Sequence, residues 1–250
     1  VSLFFYRDFL NEHISMTKIL ALDASTDACS VALYIDGVTS NIFELAAKSH
    51  TQRLLPMVDE ILRAANYSLH DIDAIAFGRG PGSFTGLRIC MGIVQGLAFG
   101  ANIPVIPVST LQAMAQGFVS ENPHNTSPLL VALDARMDEV YWGLFNADKI
   151  PQALSAEFVM KPIDVCEQKI VADLHKQFVA IGPGWHYADL QKIVPELLIQ
   201  DAHPNAQYML PIAVDAFQKG ETQSILDAQP VYLRDSVSWQ KRQRIRTQSL

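Results

Sequence analysis

Laid over itself at an offset of 111 residues, this chain matches: ALDASTDACSVAL, Ala21–Leu33, falls on ALDARMDEVYWGL, Ala132–Leu144, with six of thirteen positions identical. A repeat of that kind demands two structurally related halves, whatever the fold of each. Both copies share one grammar: an apolar run (KILALD, LLVALD), a polar turn opened by Asp23 or Asp134, and a second β-rich run (CSVALYIDG, EVYWGLFNAD). That pattern predicts a strand, a tight turn and an antiparallel strand. The first strand of each pair is apolar almost throughout, as suits a central strand covered on both faces. A second echo follows, where AIAFGRGPGS, Ala74–Ser83, is matched by FVAIGPGWHY, Phe178–Tyr187, each a strand running into Gly-Pro-Gly.

Between the hairpins the period changes. In SHTQRLLPMVDEILRAANYS the apolar residues Leu54, Leu55, Val58, Ile61, Leu62 and Ala65 recur at helical spacing, with Ser49 or Thr51 as the cap and Pro56 within the first two turns. SLHDIDAIAFG reads as a linker and strand, FTGLRICMGIVQGLAFGANIP as a second helix, and VIPVSTLQAMAQG as a strand followed by a helix. The second half repeats this less regularly, with strands near 157–161 and 178–181, helices in DLQKIV and QYMLPIAVDAFQKG, and an extended segment at AQPVYLRDSV. The order argues for an α/β fold of two related lobes, each a mixed sheet packed with helices. SENPHNTSP marks the transition between them. The expected divisions are an extension at 1–15, ahead of Met16; lobes at 16–112 and 113–233, the last helix packing back on the first lobe; and a basic tail at 234–250.

With 49% hydrophobic residues in 250, the chain can bury one or two cores. A net charge of -7 argues against its wrapping nucleic acid unaided, because phosphate contacts need clustered Lys and Arg. The local exception is WQKRQRIR, Trp239–Arg246, with four basic residues and no acid; it reads as a solvated tail. Cys29, Cys90 and Cys166 are odd in number and have no CxxC spacing, so neither a disulfide framework nor a zinc knuckle is indicated, and a reducing, cytoplasmic setting is expected. No run of about 18 apolar residues suggests a membrane span.

Gly78, Gly80, Gly82 and Gly86 surround the junction of AIAF with the helix beginning near Phe84. Glycines there allow close backbone approach, and a helix N-terminus offers free N–H groups to an anion. Yet the Walker pattern lacks its lysine, G-x-G-x-x-G breaks at Thr85, and the nucleophile elbow G-x-S-x-G is not matched. Two readings stand, a phosphate-binding turn and a tight strand-to-helix connection. Beyond it, Gly92, Gly96 and Gly100 recur every four residues in line with Arg88 and Phe84, leaving one helix face nearly bare. Three interior glycines cost about 1 kcal/mol each against alanine, which close approach of another helix would offset. That helix belongs either to this chain or to a second subunit.

A search for a catalytic centre finds little. The seven histidines include no H-x-x-x-H or H-E-x-x-H. Asp23 and Asp134 are symmetric carboxylates, placed either to hold Mg²⁺ through water across a shared cleft or simply to form turns. Ser83 has no evident base for peptidase chemistry. A small-molecule kinase or ATPase would have to rest on the two aspartates.

ILALDASTDACSVALY, SHTQRLLPMVDEIL, GPGSFTGLRICMGIVQGLAFGANIPVIPVSTLQAMA, LDARMDEVYWGLF and PVYLR resemble, in that order, the bacterial TsaB (YeaZ) family, from about Met16 to Arg234. The resemblance implies the two-lobed fold of actin, hexokinase and Hsp70. It also implies a subunit without chemistry of its own, a homodimer when alone. Such a subunit pairs with the related TsaD and assembles with the ATPase TsaE to make threonylcarbamoyladenosine beside the anticodon of tRNA, which it reaches only through the complex. TsaD carries the metal-dependent transfer, and where its relatives place a histidine pair this chain has Thr110 and Met114. By the same resemblance, Leu54, Val58, Leu62, Arg88, Met91, Gly92, Gly96 and Gly100 form the partner surface. Asp23, Ser25, Gly80, Gly82, Ser83 and Asp134 are vestiges of a phosphate site. No intrinsic cofactor is implied, only ATP or ADP at the interface with partners.

Overall fold

The structure, a computed structural model, describes residues 17–45 and 50–234. The extension at 1–15, the candidate cap Ser49, the side chain of Thr51 and the basic run at 239–246 lie outside what it describes.

The first half opens with β1 (Lys18–Asp23), β2 (Ala28–Ile35) and β3 (Val38–Leu45), followed by helix α1 (His50–Ala64). Next come β4 (Ala74–Gly80), α2 (Phe84–Ala101), β5 (Val105–Ser109) and α3 (Thr110–Glu121). The sheet order is β3-β2-β1-β4-β5, antiparallel from β3 to β1 and parallel from β1 through β4 to β5. The second half holds β6 (Leu129–Asp134), β7 (Val140–Phe145), β8 (Phe158–Met160), the short helices α4 (Pro162–Cys166) and α5 (Lys169–Ala172), β9 (Val179–Ile181), β10 (Leu197–Ile199) and α6 (Ala206–Gln218). Its sheet runs β8-β7-β6-β9-β10, with the same change from antiparallel to parallel at β6. Strand for strand the two sheets are one topology used twice, and this duplicated arrangement is the actin- and hexokinase-like fold.

Alternation along the central strands decides what covers each face. Leu20, Leu22, Val31, Leu33, Ile75 and Phe77 point toward α1 and α2, where Leu54, Met57, Val58, Ile61, Cys90, Val94 and Ala98 meet them. Ile19, Ala21, Ala32, Ala74 and Ala76 point the other way, into α6 through Met209, Leu210 and Ala213. Small side chains on that face let the helix approach closely. Helix α3 contributes Ala113 to this layer but turns Leu111, Met114, Ala115 and Phe118 onto the second sheet, against Leu129, Val131, Leu133 and Ile181. The helix that follows each sheet therefore packs largely on the other one, and the expected division at 112/113 falls within α3.

Three elements depart from the sequence reading. VTSNIFEL forms β3, an edge strand with a largely exposed face, where no strand was expected after CSVALYIDG. DLQKIV yields one 3₁₀ turn, Leu190–Lys192, not a helix. By length and composition α2, with a mean hydropathy of 1.3, is apolar enough to cross a membrane, which corrects the expectation that no segment is. A third of that helix is buried inside the chain.

Candidate functional site: the interlobe cleft and the bare helix face

The two repeated turns face each other across a cleft of about 400 Å³ lined by Ser25, Gly82, Ser83, Asp134, Arg136 and Arg234, among others. Each turn is closed in the same way. The amide of Ser25 donates to Asp23 Oδ1 at 3.1 Å, and that of Arg136 to Asp134 Oδ1 at 2.8 Å. This is the side-chain-to-backbone bond that favours Asp at such positions. Ser25 Oγ adds a 2.9 Å bond to Asp23, while Asp134 also accepts from Arg136 Nη1 at 3.0 Å and from the Tyr187 hydroxyl at 3.0 Å. Across the cleft Arg136 lies 3.7 Å from Asp27, a charge pair linking the two turns.

Of the six residues expected at a phosphate site, Ser25, Gly82, Ser83 and Asp134 line the cleft. Asp23, 1% exposed, lies beneath it. Gly80 sits against Leu87 and the carbonyl of Val231. Among the described residues no group of three or more His, Cys, Asp or Glu is placed to hold a metal ion. Burial raises the Tyr187 phenol, and its bond to Asp134 raises it further, so it serves as a neutral donor. Burial, reinforced by Asp23 and Glu44, pushes the Cys29 thiol up to about 12; burial and Asp23 likewise raise Cys90 well above the ordinary thiol value. Both stay protonated at neutral pH, unlike a nucleophilic cysteine.

Space explains the glycine loop. A Cβ on Gly78 would collide with the Asp23 carboxylate, one on Gly82 with the carbonyl of Ser25, and one on Gly86 with the carbonyl of Ala24. The Ser83 amide bonds to the Ser25 carbonyl at 2.6 Å, so the start of α2 lies directly on the first turn. Ser83 is the N-cap, its hydroxyl accepting from the Gly86 amide at 3.3 Å. These glycines make room for the chain's own backbone.

The glycines farther along α2 behave differently. Among the described residues a Cβ on Gly92, Gly96 or Gly100 would meet nothing within 4 Å, so no described helix uses the bare face. That face is exposed and carries Phe84, Arg88 and Phe99 beside the glycines. Phe99, at 72% exposure, and Leu55 of α1 are apolar residues left in solvent. By contrast Leu54, Val58, Leu62 and Met91 are 0–7% exposed within the chain's own core. The expectation that these four side chains supply the apolar contact is corrected: they face the sheet, as helical periodicity alone would have them do.

Sequence reasoning read the segment after α6 as extended but gave its residues no contacts in the site. The Val231 amide bonds to the Arg79 carbonyl at 2.7 Å, and the Tyr232 ring packs on Phe84 with centroids 5.5 Å apart. Arg88 stacks over Phe84 at 3.8 Å and donates through Nε to the Tyr232 hydroxyl at 3.3 Å. Two residues on, Arg234 reaches the second turn, donating to the carbonyls of Ala135 and Arg136 and pairing with Glu139. The PVYLR stretch was the only signal for it. Thr110 and Met114 are both buried; Met114 packs against β6 and β9.

A family model described as TsaD: tRNA N6-adenosine threonylcarbamoyltransferase matches residues 36–237. The chain is 47% identical over 230 residues to the tRNA threonylcarbamoyladenosine biosynthesis protein TsaB of Escherichia coli strain K12, covering 90% of this chain and 97% of that one. For the protein of the same name from Haemophilus influenzae the identity is 45%, over 89% and 96%. Among solved structures, YeaZ from Pseudomonas aeruginosa is similar with a TM-score of 0.80 and 40% identity, over 87% of this chain and 100% of that one.

Proposed function

The chain belongs to the TsaB family of tRNA threonylcarbamoyladenosine biosynthesis proteins, and from that premise we propose that it serves the modification as a non-catalytic subunit, docking through the bare face of α2. It takes part in making threonylcarbamoyladenosine on tRNA. Its share is to pair with TsaD, in place of a second copy of itself, and so to admit the ATPase TsaE. It reaches tRNA only within that assembly, in the cytoplasm, and nucleotide is held at the interface with the partners.

The observation that carries this reading is the empty space over Gly92, Gly96 and Gly100. Interior helix glycines cost about 1 kcal/mol each against alanine, and nothing among the described residues uses the room they leave. Closely packed helices from another subunit would use it, with Phe99 and Leu55 supplying apolar area at the margin. Met114 is given over to packing in the second lobe's core, which supports a subunit without chemistry of its own.

The test is light scattering on this protein alone and mixed with its cognate TsaD, alongside threonylcarbamoyl transfer to tRNA. The expected result is a one-to-one complex, transfer that requires both chains, and none from this chain by itself. A monomer that ignores TsaD and hydrolyses ATP unaided would overturn the reading in favour of a kinase or ATPase working in the cleft.

A further inference from the structure

We propose that residues 230–234 form a strap that couples the head of α2 to the interlobe cleft, so that a protein seated on α2 changes how firmly the second turn is held. The strap is anchored upstream, where Gln223 exchanges backbone bonds of 3.0 and 2.9 Å with Val105 and where Ile225 and Ala228 are buried in the first lobe's core. From there it runs without regular secondary structure. Its Val231 amide is bonded to Arg79, whose guanidinium in turn pairs at 3.2 Å with Glu157 of the second half.

Two ends of this short segment meet two different surfaces. Tyr232, 43% exposed, stands on Phe84 and Arg88, at the N-terminal end of the same α2 face that carries the glycines. Arg234 closes the β6–β7 turn by bonding the carbonyls of Ala135 and Arg136 and pairing with Glu139, and it lines the cleft. Arg136 in that turn also faces Asp27 across the cleft. A partner laid along α2 must cover or displace the Tyr232 ring, and only Leu233 separates that ring from the residue that pins the turn. Coupling of this sort needs an element with two arrangements that both sites bias. Residues 231–234 are held by the Val231 amide, by the Tyr232 contacts with Phe84 and Arg88 and by the Arg234 guanidinium, so that an occupant of α2 and the second turn act on one short segment. The partner arm rests on the proposed use of α2 as a docking face; the strap itself does not.

Hydrogen exchange on the full chain tests both. In Tyr232→Ala the amides of residues 135–139 should exchange about tenfold faster, the factor that a lost aromatic and cation–π contact is worth. The amides of β1 should stay at the parental rate, showing the variant folded. Tyr232→Phe, which keeps the ring, should restore most of the protection, and Arg234→Ala should release the turn directly. Parental exchange at 135–139 in Tyr232→Ala would overturn the strap. With TsaD added and binding followed by light scattering, protection at 135–139 should shift in the parent and not in Tyr232→Ala. A complex that leaves the turn unchanged overturns the coupling. If no complex forms, the docking reading fails instead, and the partner-free comparison still decides the strap.

Discussion

Alanine substitution at the two sets of glycines in and around α2 should give effects of opposite sign. At Gly92 and Gly96 the added methyl meets nothing within 4 Å, so the change acts on the helix alone. Each should stabilise the isolated chain by about 1 kcal/mol, chiefly by restricting the unfolded backbone. The double variant then gains about 2 kcal/mol, or roughly 4–8 °C in Tm for a chain of this size. At Gly86 the methyl runs into the carbonyl of Ala24, which belongs to a buried turn and has nowhere to go. There the same helical gain is outweighed by overpacking, and a net loss of about 2 kcal/mol or more is expected. Urea unfolding followed by circular dichroism reads all three, repeated over a range of protein concentrations so that self-association separates from intrinsic stability. Loss of stability in Gly92→Ala/Gly96→Ala at the lowest concentration would refute the reasoning, because it would mean that this chain itself packs against the stripe. Equal stability of Gly86→Ala and the parent would refute the steric account of the loop.

Gly96→Arg should leave the far-ultraviolet spectrum and monomer stability intact while abolishing self-association and TsaD binding in sedimentation; unchanged association would remove α2 as the contact. Cys29 and Cys90, buried and with raised thiol values, should resist a disulfide reagent at neutral pH in the native chain and react on unfolding. Prompt native labelling at either would contradict the packing. The Arg53 guanidinium bonded to Glu44 holds that carboxyl below its ordinary value. A carboxyl depressed in the fold contributes stability above its unfolded value of 4.5 and loses it as pH falls through the folded one. Glu44→Gln should therefore lower stability slightly near neutrality and flatten the acid limb of a stability profile taken from pH 6 to 3, meeting the parent at the acid end. The pair is partly solvated, so the effect should be small.

What the sequence disclosed and what it hid follow one physical line. Strands β1 and β6 were legible because they are buried on both faces, so every residue in ILAL and LLVAL is selected for the same property. Strand β3 was not, because an edge strand with exposed Val38, Thr39, Ser40 and Asn41 carries no apolar alternation to read. The same asymmetry governs the site. Periodicity reports which residues are apolar, and in α1 and α2 those are the ones that face the sheet, so Leu54, Val58, Leu62 and Met91 were assigned to a surface they do not reach. The residues that do reach it, the glycines above all, stood out only because they are expensive in a helix. The repeat marked both aspartate turns and left open whether they face a shared cleft or only form turns; the turns do lie across one cleft, with Asp23 buried beneath it. Nothing local could have told that Arg234 would return to one of them, since that contact joins positions 95 residues apart.

The divergence of the two halves bears on how the chain can associate. Between β4 and β5 the first half carries the 18-residue α2 with its bare face; between β9 and β10 the second carries only the 3₁₀ turns Pro183–His186 and Leu190–Lys192. The duplicated fold thus presents the helix proposed for docking once, not twice. Two equivalent faces on one chain would permit open-ended stacking of copies, whereas a single self-complementary face closes after one partner. On the proposed use of α2, a second copy and TsaD would compete for that one face. Self-association and binding to TsaD should therefore be mutually exclusive, with heterodimer formation depleting the homodimer in proportion. Because the strap's Tyr232 stands at the edge of that one face, either occupant would meet it.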